Sequence, residues 1–440
     1  ARRAGAEPGA AAAPQPAPRW RRAWVAVRAG LRSQWVATLG LAPLSLLFFQ
    51  QLSLVGLLAN LVAVPVITLV ITPLALLGLL WAPLWAVADW ALQPLLGWLG
   101  WLSGWPLAVW TVPAASGWAG AAALLGGALL VLPLPWRLRA LGLPLLLPLL
   151  APAVARPAEG RFELVAADVG QGSAVLVRTR EHLLVHDSGA RFSRDSDAGR
   201  QVLLPLLQAR GERRIDELVL SHRDLDHVGG AAALLDKLPV ARLRSSLEAG
   251  HPLLARPLPQ IPCHAGQAWV WDGVRFEVLH PGPEPYPAGA RPNTLSCVLR
   301  VQGADGHSAL LTGDIEAGQE QALVARLGPA LRSEVLLVPH HGSQTSSSEA
   351  FLAAVQPRVA VMQLGYRNRF GHPHASVLAG YAGAGVPVVR TDRCGAWLWT
   401  AAGASCTRDV RRRYWHWRLQ AMPPGGGAVV ARVTDAGEPE

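Results

Sequence analysis

Leu218-Val-Leu-Ser-His222-Arg-Asp224-Leu-Asp226-His227-Val-Gly-Gly230 is the stretch that decides the fold of the carboxyl-terminal part of this chain. An apolar run of strand length enters a loop with two histidines and two aspartates within six positions, and two glycines follow directly. Neutral imidazole and carboxylate are the ligands that zinc and manganese take from proteins, and a loop at a strand end can aim several at one point. The glycines allow the next helix to pack close beneath the loop. The bland alternative is a solvated polar turn, where Asp and His are common. It accounts poorly for so dense a cluster after an apolar strand.

Two later strand ends repeat the pattern. Ala309-Leu-Leu-Thr-Gly-Asp314 places a carboxylate after an apolar run, and Val335-Leu-Leu-Val-Pro-His340-His341-Gly-Ser343 places paired histidines after another. A lone Gly-Asp is ordinarily a turn. Three strand ends bearing ligand-type residues in one domain are far harder to explain as turns. Further strands are expected at Phe162–Ala167, Ala174–Arg178, His182–His186, Val274–His280, Ser296–Val301, Val359–Gln363 and Val386–Arg390. Pro387 makes the last an edge strand at best. Helices are expected near Gly229–Leu235, Ala317–Leu327 and Ser348–Val355. Two sheets sandwiched by helices fit this order.

The amino-terminal part is different in kind. Between Arg32 and Arg137 the only charged residue is Asp89, and about four helical spans of roughly 20 residues fit there. Apolar segments are read near 36–56, 60–81, 84–111 and 118–135, with a short one near 140–155. Gln50, Gln51, Ser53, Asn60 and Pro65 interrupt them; helix–helix hydrogen bonding is favoured over a polar conduit lining. The basic run Arg19–Arg32, and Arg137 with Arg139, point to the cytoplasm by the positive-inside rule. Whether 140–155 crosses once more decides the side on which the soluble part emerges. Residues 1 to about 18, rich in Ala, Pro and Gly, read as disordered. The chain reads as the later part of a longer membrane protein. The expected organisation is a disordered and basic cytoplasmic segment (1–34), a membrane domain (35–156), a hydrolase domain (157–405) and a basic, aromatic tail (406–440), partly disordered.

The net charge of +10 comes almost wholly from arginine, with Lys237 the single lysine. The surplus favours an anionic partner, nucleic acid or lipid headgroups. Cys263, Cys297, Cys394 and Cys406 lack C-x-x-C spacing. That argues against a cysteine zinc cage and leaves one pairing, Cys394 with Cys406, open outside the cytoplasm. In the tail, Arg411, Arg412, Arg413, Tyr414, Trp415 and Trp417 interleave guanidinium groups with aromatic rings. That pattern suits single-stranded nucleic acid, and also a membrane-surface anchor.

Taken together, the H-x-D-x-D-H loop, the T-G-D and the H-H-G-S turn resemble the metallo-β-lactamase fold. Asp168-Val-Gly-Gln-Gly172, Gly371-His-Pro-His374, Phe48-Phe-Gln-Gln-Leu-Ser53 and Leu58-Ala-Asn-Leu-Val-Ala-Val-Pro65 resemble the ComEC family of DNA-uptake proteins of natural competence. The resemblance implies a multi-span α-helical membrane domain followed by an αββα metallo-β-lactamase-like sandwich, in the bacterial inner membrane with the hydrolase domain on the outer, periplasmic face. It implies two divalent metal ions, Mn or Zn, with Mg an alternative. His222 and Asp224 would hold one ion, Asp226, His227 and His340 the other, with Asp314 bridging. Asp226, His341 and His372 are the catalytic candidates, His374 a further phosphate contact, and Asp168 and Asp187 supporting residues. The implied partners are single-stranded DNA in transit, membrane lipid, a second copy of the chain and other competence proteins.

Departures from the pattern matter. Hydrolases of this fold usually carry histidine where Asp224 stands, and another near Asn293, so the first metal position has fewer and harder ligands. The implied function is DNA internalisation with a nuclease domain that degrades one strand. A channel with a catalytically silent domain, and a membrane-tethered hydrolase of another anionic ester or a β-lactam, are the alternatives.

Overall fold

The computed structural model of the chain describes residues 18–284, 286–287, 289–414 and 416. It divides into two units, before and after the Ala153–Val154 junction.

The first unit is helical. Arg19–Phe49 is a single helix whose first turns carry the basic run Arg19–Arg32; residues 1–17, read from sequence as disordered, lie outside the described residues. Alternating Arg, Ala, Trp, Val and Leu residues are adequate helix formers once Pro18 has set the entry. Gln50, in the left-handed region with φ 54°, ends that helix, and Gln51–Ser53 pairs antiparallel with Val109–Thr111. The polar interruption read from sequence is thus where the chain leaves the helix. Gly56–Val66 continues through a π-helical stretch, Ile67–Ile71, into Thr72–Leu77. The π stretch begins two residues after Pro65, whose missing N–H breaks the regular ladder. Pro83–Ser103, Gly117–Val131 and Gly142–Leu150 follow. Among the described residues one helix, Gly56–Leu77, is both long and apolar enough to cross a bilayer, against the several crossings expected. Gly126 and Gly142 face each other so closely that a Cβ on Gly126 would lie 2.6 Å from the Gly142 carbonyl oxygen.

The second unit is built on two sheets. One has the order Gly403–Cys406, Trp397–Thr400, Glu163–Ala166, Val175–Arg178, Leu183–His186, Glu217–Leu220, Leu243–Ser245, Gln260–Pro262. The other runs Val388–Arg390, Val359–Met362, Val335–Leu337, Ser308–Leu311, Val298–Gln302, Val274–His280, Ala268–Trp271. Leu164, Val175, Val177, Leu184 and Val219 from the first pack against Phe276, Leu299, Val301, Leu311 and Val335 from the second. The opposite faces are covered by helices. Leu203, Leu207 and Leu234 pack on the first sheet, and Leu323, Phe351 and Tyr381 on the second. Strands buried on both faces read as continuous apolar runs, which is why they are visible in sequence. Val388–Arg390 lies at an edge, as Pro387 requires. The strands Leu243–Ser245, Gln260–Pro262, Ala268–Trp271, Trp397–Thr400 and Gly403–Cys406 were not anticipated, being three or four residues long without strong alternation.

The cysteines form two disulfides, Cys263–Cys297 and Cys394–Cys406, where sequence left open only the second. Cys263 and Cys297 are 34 residues apart and meet inside the core between the sheets, a proximity that sequence spacing does not encode.

Candidate metal centre

Parallel strands bring the ligand-type residues together. Leu183–His186 is parallel to Glu217–Leu220, and Ser308–Leu311 to Val335–Leu337. Their carboxyl ends deliver Asp187, the Ser221–His227 loop, Asp314 and the His340–His341 turn to one place. His222, His227 and Asp314 present ligand atoms all within 4.8 Å of one another, and so do Asp226, His227 and His341. Asp314 Oδ1 lies 3.1 Å from His227 Nε2, and its Oδ2 lies 3.6 Å from His341 Nε2 and 4.0 Å from His222 Nε2. Asp226 Oδ2 is 3.5 Å from His341 Nε2, and Asp224 Oδ2 3.6 Å from His222 Nε2. Asp224 is the most open of the set, its side chain 45% exposed.

The ligand-aiming side chains are held from behind. Buried Asp187 accepts from the Ser221 backbone N–H (2.7 Å), the Ser221 hydroxyl (2.8 Å) and His227 Nδ1 (2.7 Å). His227 Nε2 is thereby turned toward Asp314 and His341. His341 Nδ1 donates to the Gln363 carbonyl oxygen at 2.7 Å, which leaves its Nε2 for the cluster. His222 Nδ1 lies 3.0 Å from the Ser221 hydroxyl and 3.4 Å from that of Ser296. Its Nε2 is fully buried and has no hydrogen-bond partner. A buried polar nitrogen without a partner is costly unless something else binds it, and a divalent cation among carboxylates meets that need. The residues present therefore fit a metal.

Electrostatics agree. Burial alone would favour the neutral carboxyl at Asp314, but the charges of His227 and His341 overcome it and hold Asp314 well below the usual carboxylate range. Asp226 is also held down: burial opposes, and the His341 hydrogen bond and the His227 charge prevail. Burial resists charging His227, yet Asp314 and Asp187 raise it well above an ordinary imidazole. The pocket is thus strongly selective for positive charge, supplied by protons or by a metal.

Not every sequence candidate joins this cluster in the same way. His340 stands further out, 3.9 Å from Asp314 Oδ2 and in contact with the Thr345 hydroxyl at 3.2 Å. It is His341 that reaches Asp226 and His227, a place that the family resemblance assigns to His340. The cause is backbone: His340 and His341 both have positive φ, 49° and 53°, a conformation costly for non-glycine residues and concentrated at functional sites. His372 lines the rim, its ring 5.8 Å from that of His340. His374 instead caps the helix Ala375–Gly383 by accepting from Ser376 N–H. Asp168 pairs with Arg408 at 2.9 Å and touches none of the cluster residues. Asn293 bonds Glu316 at 3.4 Å and supplies nothing to the centre. Arg411, Arg412, Arg413 and Tyr414 are exposed; Trp415 and Trp417 lie outside the described residues.

Three residues were missed. Ser221 and Ser296 support His222, and Gln363 bonds Ser173, Ala174 and Ala167 across the two sheets. Ser221 and Gln363 each follow an apolar strand, the same signal that exposed Asp314.

Comparison with known proteins matches the two parts of the chain separately. Residues 9–137 match the family model "Competence protein", and residues 167–366 match "Metallo-beta-lactamase superfamily". Competence protein ComA of Neisseria gonorrhoeae is 37% identical over 400 residues, covering 89% of this chain and 54% of the relative. The uncharacterized protein YcaI of Escherichia coli K12 is 31% identical over 399 residues, covering 83% and 48%. ComE operon protein 3 of Bacillus subtilis is 33% identical over 264 residues, covering 54% and 32%. The chain spans about half the length, or less, of these relatives (54%, 48% and 32%). With a competence-protein segment joined to a metallo-β-lactamase domain, this chain belongs to the ComEC family of competence proteins.

Proposed function

We propose that the chain is part of a membrane-embedded DNA-uptake protein whose metallo-β-lactamase domain is a metal-dependent phosphodiesterase that cuts one strand of incoming DNA. The observation that carries the hydrolase reading is the buried, unpartnered Nε2 of His222, set among Asp224, His227 and Asp314. His222, Asp224 and Asp314 would hold one divalent ion, and Asp226, His227 and His341, sharing Asp314, the other. Such a pair supplies Lewis acidity to both the attacking and the leaving oxygen of a phosphodiester. The protein's own part is to fix His227 and His222 through Asp187 and Ser221, and to present His340 and His372 at the rim where a phosphate would enter.

A multi-pass membrane domain is supported by the competence-protein match and by the apolar helix Gly56–Leu77. Two disulfides among four cysteines support placing the hydrolase domain on the outer face, where thiols oxidise. The open position of Asp224 and the distant engagement of Asn293 favour, as a second reading, a domain that binds DNA without cleaving it.

The test uses the full chain in detergent, with labelled single- and double-stranded oligonucleotides and added manganese, magnesium or zinc. Metal-dependent cleavage that disappears in Asp314→Ala is expected. Equal activity of wild type and variant under every metal would overturn the phosphodiesterase reading.

A further inference from the structure

Next to the metal centre, the segment Gly365–His372 alternates aromatic and basic side chains at the surface. Tyr366 is 44% exposed and Phe370 52% exposed, and Arg367 and Arg369 are exposed beside them. The Arg367 guanidinium carbon lies 5.3 Å from the Tyr366 ring centre, and that of Arg369 4.9 Å from the Phe370 ring. Among the described residues neither arginine has a carboxylate partner.

The loop is held in shape. The Asn368 side-chain amide donates to the Gly365 (3.2 Å) and His372 (2.6 Å) carbonyl oxygens, and its oxygen accepts from His372 N–H at 3.0 Å. Gly365 N–H in turn donates to the Gln171 side chain at 3.2 Å. An exposed Phe370 on a loop cross-braced by one asparagine is a preformed surface, with little order left to impose on binding.

The surface also has a direction. The Phe370 ring lies nearly parallel to that of His372, 5.9 Å away with 14° between planes. His372 then meets the His340 ring edge-on, the centres 5.8 Å apart with 64° between planes, and His340 Nε2 is 3.9 Å from Asp314 Oδ2. A file of flat rings therefore leads from solvent to the candidate metal ligands, flanked by two cations without carboxylate partners. Flat rings take unstacked bases of any sequence, and guanidinium groups take the phosphates between them. Bases of an intact duplex offer no free face to such a ladder.

We infer that the Tyr366–His372 loop is a base-stacking subsite that seats an unpaired polynucleotide strand and delivers its backbone to the metal centre. The inference rests on the reading of nucleic acid as substrate and names the form that the site accepts.

The experiment measures binding without cleavage. Full-length protein in detergent, with EDTA present, is titrated against a fluorescein-labelled oligothymidylate across a range of salt concentrations. Phe370→Ala is expected to weaken binding about tenfold, the effect of losing one stacked base, with the salt slope unchanged. Phe370→Trp is expected to restore it. Arg369→Gln is expected to lower the slope of log affinity against log salt by about 0.7. Manganese uptake by each variant, followed by calorimetry, checks that the fold is intact and is expected to match wild type. Equal affinity of Phe370→Ala and wild type, or a duplex competing as well as the single strand, would overturn the subsite. So would unchanged oligonucleotide binding with weakened flotation on anionic vesicles, which would make the loop a membrane contact. Stacking-dependent binding without metal-dependent cleavage would sink the phosphodiesterase and leave the subsite standing. Cleavage with no Phe370 dependence of binding would do the reverse.

Discussion

Replacing Asp187 by asparagine keeps its shape and removes its negative charge and its ability to accept on both oxygens. Asp187 takes three hydrogen bonds, from Ser221 N–H, the Ser221 hydroxyl and His227 Nδ1, at 2.7, 2.8 and 2.7 Å. The Ser221 backbone N–H can only donate, so the one oxygen left on the substituted side chain must face it. The new amide nitrogen then faces His227 Nδ1, which has to become an acceptor. The imidazole proton moves to Nε2, the atom that points at Asp314 and His341, and a protonated Nε2 cannot bind a metal. A lost hydrogen bond to a charged group is worth about 1.5–3 kcal/mol, which corresponds to roughly 10- to 150-fold in affinity. Manganese affinity of the Asp187→Asn protein, read by calorimetric titration near neutral pH, should therefore fall by roughly 10- to 100-fold. Thermal unfolding is the accompanying control. Unchanged affinity, within about threefold, in a variant that still folds would show that Asp187 does not set the His227 tautomer, and the argument for the centre's inner support would fail.

Three further changes probe the same framework. Gly172 has φ 134°, and a Cβ there would collide with the Asp226 carbonyl oxygen; Gly172→Ala is expected to destabilise by about 1–3 kcal/mol and to weaken metal binding, both measured on one preparation. The double substitution Cys263→Ser with Cys297→Ser opens a 34-residue loop, and urea denaturation should show a loss of about 3–4 kcal/mol. Gln363→Leu removes the partner of the Ala174 N–H and of the Ala167 carbonyl oxygen, and one of the two donors to the Ala174 carbonyl oxygen. A fall of about 1–3 kcal/mol in unfolding free energy is expected, and no change would mean that water replaces the amide without cost.

The double sheet was legible because its strands are apolar runs ending in residues that have no place in a core. Leu218–Leu220 before His222, Ala309–Leu311 before Asp314 and Val335–Val338 before His340 each announce both a strand and a site. The choice between His340 and His341 was not legible, because it depends on two consecutive left-handed backbone conformations at histidines, a residue type that does not signal them. The support of His222 by Ser296, and the meeting of Cys263 with Cys297, come from segments far apart in sequence. In the first unit, hydropathy located the apolar segments but not the π-helical stretch after Pro65 or the strand pair Gln51–Ser53 with Val109–Thr111. Those features follow from backbone hydrogen bonding, to which hydropathy is blind.

Behind the ligand loop, Gly199, Gly229 and Gly230 let three backbones touch: a Cβ on Gly230 would fall on the Ser188 carbonyl oxygen, one on Gly229 on the Arg191 N–H, and one on Gly199 on the Gly230 carbonyl oxygen. The consequence is evolutionary. A single nucleotide change that alters the residue at any of the three codons adds at least a methyl group where backbone already stands, and no smaller residue exists to compensate from the other side. Lineages can therefore vary this seam only by altering all three loops together, whereas the exposed Tyr366–Phe370 loop can drift one residue at a time. Divergence in what the site accepts is expected to accumulate on that outer loop, over a floor that selection keeps fixed.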